Sequence, residues 1–137
     1  MTESVDFLVD QVCSAVTLEP DSGAWVFRFS DGSTLRAECY LRLISNGRIS
    51  VTGTDHGQRF GLAEPVDASD RIRSELGDAK VSAASLAPET SDLTLTFANG
   101  SRLEILTASS GYESWHLCRP NGGELIVGGG GERFVQG

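Results

Sequence analysis

Arg28 to Arg36 reads RFSDGSTLR, and Thr96 to Glu104 reads TFANGSRLE. Each stretch leaves an apolar run, passes through Asp-Gly or Asn-Gly, and enters a second run with apolar residues at alternate positions. Asp-Gly and Asn-Gly accept the positive φ angles of a tight hairpin turn, so both stretches predict β-hairpins. The two lie 68 residues apart, and the recurrence reaches well beyond the turn.

From Leu8 to Leu35 the chain aligns with itself at that offset without a gap, and ten of the 28 pairs are identical. Among them are Leu8 with Leu76, Ser14 with Ser82, Pro20 with Pro88, Phe29 with Phe97 and Gly32 with Gly100. These are turn, loop and core positions rather than random surface sites. Trp25, Phe27 and Phe29 fall on Leu93, Leu95 and Phe97, which keeps a period of two and one apolar strand face in each copy. Further along, LRLISNGRISVTG (Leu41 to Gly53) resembles WHLCRPNGGELIVGG (Trp115 to Gly129), each with a strand, an Asn-Gly turn and a second strand.

Other elements follow from the same logic. DASDRIRSELG predicts a short helix. Asp67 or Ser69 caps it, Ile72 and Leu76 share a face, and Gly77 ends it. Strands are expected near Val12–Leu18 and Val81–Leu86. TLRAECYLRLI, from Thr34 to Ile44, alternates cleanly and reads as one continuous strand, with Leu35, Ala37, Cys39, Leu41 and Leu43 inward.

The expected fold is mainly β (α+β) and internally duplicated. About eight antiparallel strands form a sandwich or partly open barrel, with one or two short helices. Residues 1–137 make one domain with pseudo-repeats near 5–62 and 70–134. A few-stranded sheet is marginal alone, so the halves must seal one another's apolar faces.

Composition narrows the function classes. Nineteen acids against eleven bases give a net charge of −8. Nucleic acids and anionic membranes select basic surfaces, so neither is an expected partner. The first 27 residues hold five acids and no Lys or Arg, an acidic face able to steer a protein partner with a basic surface. Cys13, Cys39 and Cys118 form neither a disulfide framework nor a metal knuckle. The N-terminus lacks the pattern of a signal peptide, and no apolar run approaches the roughly 20 residues of a membrane helix. Together these imply a reduced, cytoplasmic compartment. Oligomeric state is left open.

Two segments stand out as candidate sites. GYESWHL (Gly111 to Leu117) brings Tyr112, Glu113 and Trp115 together. In a strand, Glu113 and Trp115 share one face and Tyr112 the other. That is either a bulged core strand with Trp115 inside or an aromatic and acidic binding surface. GTDHGQRFG (Gly53 to Gly61) is a glycine-flanked loop carrying Asp55, His56 and Arg59. It is either a solvated turn or an Asp–His pair orienting an imidazole.

No nucleophile motif occurs. The glycine run from Gly128 lacks the Lys and the following helix of a phosphate loop. No metal and no cofactor are predicted, because only His56 and His116 are available and neither has a partner at ligand spacing.

Taken together, DFLVDQVCSAV, the W-x-F-x-F-x-D-G hairpin at Trp25–Gly32, TDHGQRFGL, LTLTFANGSRLEI and the G-Y-E-S-W signature at Gly111–Trp115 resemble a bacterial family of small cytoplasmic proteins of unknown function. The resemblance implies no assigned activity and transfers no catalytic residue. Some similar small acidic proteins are encoded as immunity partners of secreted toxins. Two functional readings therefore stand. One is a non-enzymatic binding protein, an immunity-type inhibitor of a basic bacterial toxin, using Tyr112, Glu113 and Trp115, then Asp55, His56 and Arg59. The other is a small-molecule or metal-binding protein, or minor enzyme, using a cleft between the halves lined by Asp55, His56, Glu113 and His116.

Overall fold

The structure is a computed structural model that describes residues 4–137. A 3-10 turn at Asp6–Leu8 precedes strands β1 (Cys13–Leu18), β2 (Trp25–Phe29), β3 (Thr34–Ala37), β4 (Tyr40–Ser45) and β5 (Arg48–Thr52). A second 3-10 turn at Gly53–Asp55 and helix α1 (Ala68–Leu76) lead to β6 (Val81–Leu86), β7 (Leu93–Phe97) and β8 (Arg102–Leu106). Strands β9 (Trp115–Cys118) and β10 (Glu124–Val127), a 3-10 turn at Gly129–Gly131 and β11 (Arg133–Gln136) complete the chain.

The mainly β expectation holds, with corrections. The described residues form eleven strands rather than about eight, in two antiparallel sheets ordered β1-β2-β3-β9-β10-β11 and β5-β4-β8-β7-β6. Neither sheet closes on itself, so the arrangement is sandwich-like and not a closed barrel. The sheets share one core, to which Trp25, Phe27 and Leu35 contribute from one side and Leu43, Leu95 and Phe97 from the other. Burying a ring such as Phe27 or Phe97, both essentially inaccessible, contributes about 2–3 kcal/mol.

The expected continuous strand Thr34–Ile44 is in fact two, broken at Glu38–Cys39. There β3 leaves one sheet, with the Glu38 N–H donating to the Ser114 carbonyl at 2.8 Å, and β4 enters the other. Alternation did not reveal the break because inward positions on both sides of it face the same core. Leu35 and Ala37 before the break and Leu41 and Leu43 after it are all buried.

Strand register repeats at the offset seen in the sequence. Strand β1 pairs with β2 from Cys13↔Phe29 to Leu18↔Trp25, with a bulge between Cys13 and Ala15. Strand β6 pairs with β7 from Val81↔Phe97 to Leu86↔Leu93, with its bulge between Val81 and Ala83. The β2–β3 and β7–β8 registers match in the same way. The two halves also exchange sheets: β1-β2-β3 continues into β9-β10, and β6-β7-β8 continues into β4-β5. Val12 and Lys80, themselves equivalent positions, bridge one another.

The turns differ in detail from expectation. At Asp31-Gly32 and Asn99-Gly100 only the glycines take positive φ, 92° and 89°. The Asp31 and Asn99 side chains instead accept the Ser33 and Ser101 N–H groups at 2.8 and 3.0 Å. Asn46-Gly47 has positive φ at both residues. Helix α1 forms as read: the Asp67 carboxylate accepts the Asp70 N–H, Gly77 ends it at φ 54°, and Ile72 and Leu76 are buried.

Candidate functional site

A groove of about 440 Å³ opens where β2 begins and the chain crosses between sheets. Its walls are the Ser22–Gly23 turn, Trp25, the crossing residues Glu38, Cys39 and Tyr40, and Gly53–Thr54 after β5. Period-two alternation turns Trp25 inward, and only 5% of its surface is exposed. The indole lies against Gly53, where an added Cβ would sit 3.2 Å from Nε1, and meets the His56 ring edge-on at 6.0 Å. Yet its N–H has no hydrogen-bond partner among the described residues, and it is not sealed from solvent. Nε1 lies beside Gly53, which with Trp25 lines the groove.

Arg36 ties Glu38, the acid of the groove, to Glu19, which lines the hollow beyond Gly23. Its guanidinium donates to Glu38 Oε1, at 3.2 and 3.3 Å, and to Glu19 Oε1. Ser22 Oγ also donates to Glu19 Oε1, at 2.9 Å. The Ser22 hydroxyl and Arg36 hold the Glu19 carboxyl below its ordinary range. Neither carboxylate engages its Oε2 among the described residues. Burial, then the Asp92 and Glu38 charges, push the Cys39 thiol up to about 12, which leaves it protonated and unreactive at neutral pH. Tyr40 is 62% exposed and presents a ring at the groove wall. On the far side of Gly23 a second hollow, of about 450 Å³, is lined by residues that include Leu18, Glu19, His56 and Asp67.

Of the residues singled out from the sequence, Tyr112 is 82% exposed, whereas Trp115 is 2% exposed with its indole N–H donated to the Ser91 carbonyl at 3.1 Å. The strand starts only at Trp115, so Tyr112 and Glu113 lie in the loop before it and Glu113 shares no strand face with Trp115. The Tyr112 N–H caps onto Ser109 Oγ at 2.9 Å. Glu113 is exposed and borders a small hollow with Arg36, Glu38 and His116.

Asp55 and His56 do not act on each other. The Asp55 carboxylate accepts the Thr52 N–H at 2.8 Å, and His56 Nδ1 accepts the Ala68 N–H at 3.0 Å. Arg59 donates to the Ala63 carbonyl at 2.7 Å. Among the described residues no three His, Cys, Asp or Glu side chains converge in a metal-binding group.

Sequence reasoning missed Glu19, Glu38 and Tyr40, and it gave Trp25 only a core role. One available signal was the opposite-charge pair Arg36 and Glu38, two apart on one strand face; nothing in the alternation marked the crossing beside it.

The equivalent place in the second half is built differently. Its hollow is about 250 Å³ and lined by Thr90, Thr107, Ser109, Ser110 and Gly130, with no acid or aromatic. Beneath it Ser91, the counterpart of Gly23, is fully buried at φ 60°. Ser91 Oγ donates to the Gly131 carbonyl at 2.7 Å and accepts from Arg133 Nε at 2.8 Å. Arg133 Nη2 reaches the Ala87 carbonyl at 2.8 Å. The 3-10 turn at Gly129–Gly131 thus stands where the Gly53–Asp55 turn walls the first groove, and the hollow it leaves is smaller.

Comparison with known proteins places residues 26–136 within a family described as a family of unknown function, DUF6188. No curated protein and no solved structure matches the chain.

Proposed function

This chain belongs to the DUF6188 family of unknown function, and we propose that it is a non-enzymatic binding protein whose open groove captures a protein partner with a basic surface. The observation that carries this reading is the groove itself, where the Glu38 carboxylate and an exposed Tyr40 ring stand beside Trp25, with Arg36 linking Glu38 to Glu19 in the hollow beyond Gly23. Tyrosine is among the residue types that most often anchor interfaces, and Tyr40 is exposed at the groove wall. The net charge of −8 supplies the long-range attraction that brings a basic partner to it. Tyr112 and Glu113 extend the surface beyond Glu38. Asp55, His56 and Arg59 act behind it, holding the loop whose imidazole supports Trp25. An immunity-type inhibitor of a basic bacterial toxin is one form this function takes.

We further read the chain as two copies of one unit, near 5–62 and 70–134. In that history the first copy keeps a groove of about 440 Å³ and the second a smaller hollow of about 250 Å³.

The test compares wild type with Tyr40→Ala, Tyr112→Ala and Glu38→Gln as bait in cell extract, over a salt series. The expected capture is a basic protein, weakened at least fivefold by Tyr40→Ala and by Tyr112→Ala, and lost progressively with salt. Unchanged thermal melting of the three variants confirms that the fold is intact. Capture indifferent to all three substitutions would remove the groove from the interface.

A further inference from the structure

We propose that the groove takes an extended segment of the partner, with a backbone carbonyl on the Trp25 indole N–H and an arginine side chain against the free Oε2 atoms of Glu38 and Glu19. The inference rests on the basic-partner reading above and specifies what enters the groove.

The two tryptophans supply the first argument. Both indoles are at least nine-tenths buried. Trp115 donates to a backbone carbonyl of the chain, that of Ser91. Trp25, in the other half, has no such acceptor among the described residues, and it lines a groove large enough for one. A buried donor left without an acceptor is costly, so in the free protein this N–H meets groove water. A partner's carbonyl displaces that water without loss of the hydrogen bond. A side chain that offers only donors leaves the indole unpaired.

The second argument is the charge arrangement. Arg36 engages Oε1 of Glu38, in the groove, and of Glu19, in the hollow beyond Gly23, and leaves Oε2 of each without a partner among the described residues. Those oxygens accept a second planar guanidinium, which matches carboxylates in a way that a point-charge ammonium does not. Tyr40 offers its face for stacking, and the chain already uses this pairing where Arg119 lies 4.6 Å over the Phe7 ring.

The third argument is the chain's own second half. There the 3-10 turn at Gly129–Gly131 packs so closely on the neighbouring turn that a Cβ at Gly131 would lie 2.6 Å from the Thr90 carbonyl. The extended strand that follows carries Arg133, whose guanidinium binds Ser91 and Ala87. Their counterparts in the first half are Gly23 and Glu19. An arginine on an extended strand thus docks, in the second half, on the positions equivalent to Gly23 and Glu19, outside the hollow itself.

The probe is a blocked pentapeptide, acetyl-Ser-Val-Arg-Val-Ser-amide, beside its citrulline counterpart, a near-isosteric neutral control. The Trp25 indole N–H resonance is followed in ¹H–¹⁵N spectra of the whole protein. The arginine peptide is expected to shift that resonance saturably and to bind at least tenfold more tightly than the citrulline peptide. In a Glu19→Gln, Glu38→Gln variant that preference falls below threefold. Equal binding of the two peptides, or no shift at Trp25, overturns the proposal. Poly-L-lysine, a basic polypeptide without arginine, separates this failure from that of the broader reading. If polylysine perturbs the Tyr112 and Glu113 resonances while neither peptide reaches Trp25, the arginine segment is wrong and the basic-partner reading stands. If polylysine perturbs neither region and neither peptide binds, both fall.

Discussion

Trp25 and Trp115 make a controlled pair at the scale of single residues. Replacing either by Phe removes an N–H and some ring volume, but only at Trp115 does it also strip the buried Ser91 carbonyl of its donor. Trp115→Phe should cost about 1–3 kcal/mol more than Trp25→Phe, since a buried polar group left unpaired loses its full solvation. Urea unfolding of the two variants measures the difference directly, and equal midpoints would mean that the Ser91 contact is not a stabilising one. The thiols permit a second residue-scale expectation. Burial holds Cys39 up at about 12, and Cys13 and Cys118 at about 11, the last helped by its bond to Glu124. Because the thiolate is the reactive form, a small alkylating reagent at pH 8 should modify the native protein at least tenfold more slowly than the urea-unfolded chain, for which ordinary thiol values return. Cys39 also lines the groove, so an occupant there should slow its labelling further and leave that of Cys13 unchanged.

Among the elements, the β4–β8 contact carries the clearest electrostatic tie. Glu104 on β8 accepts from Arg42 of β4 at 2.5 Å and from Arg102 of its own strand at 2.9 Å. Burial pushes the Glu104 carboxyl up, but the two guanidinium groups outweigh it and hold it below the ordinary glutamate range. A carboxyl lowered on folding stabilises the native state while ionised. That contribution is complete above the unfolded value near 4.5 and is lost as the pH falls through the lower folded value. Glu104→Gln should therefore lower stability at neutral pH by roughly 1 kcal/mol, with a difference from wild type that shrinks in thermal melts as the pH falls below about 4. The elements are also where the sequence was most and least informative. Hairpins, the bounds of β1 and β6, and α1 were legible because Asn-Gly and Asp-Gly pairs, period-two runs and the Asp67 and Gly77 caps each encode a local backbone state. The crossing at Glu38–Cys39 was illegible because alternation reports which side chains face the core and says nothing about which sheet holds the strand. The groove lies at that crossing, so its residues were hidden by the same degeneracy. Tyr40 read as one more outward position of a half-wet strand, and Trp25 as one more inward one.

Across the whole molecule, the ladders decide how the halves depend on each other. Strand β3 pairs with β9 from Thr34↔Cys118 to Ala37↔Trp115, and β4 pairs with β8 from Tyr40↔Leu106 to Ile44↔Arg102. Each sheet is therefore built from both halves, and cutting the chain between them exposes new edges on β3, β4, β8 and β9 at once. The apolar faces are divided in the same way, since Phe27 and Leu35 have Leu43, Leu95 and Phe97 as partners in one common core. A fragment of residues 1–66 or 67–137 keeps its hairpins but loses half of each sheet and the opposing face, and sheets of two or three strands with one naked face are marginal in water. Neither fragment alone should show a cooperative thermal transition. Mixed at equal concentration they should recover one, because the pairings at β3–β9 and β4–β8 need no covalent link between the halves. The recovered transition should depend on concentration, as assembly from two chains requires. A Trp25 indole resonance returning to its native position in the mixture would show that the groove reassembles with the sheets. Independent cooperative folding of either fragment would mean that the unit of stability is the half and not the shared interior. The groove would then belong to the first half alone, because Trp25, Glu38, Tyr40 and Gly53 all lie within it. The interlocked ladders favour the opposite outcome: the groove is contributed almost entirely by one half and held in shape by the other.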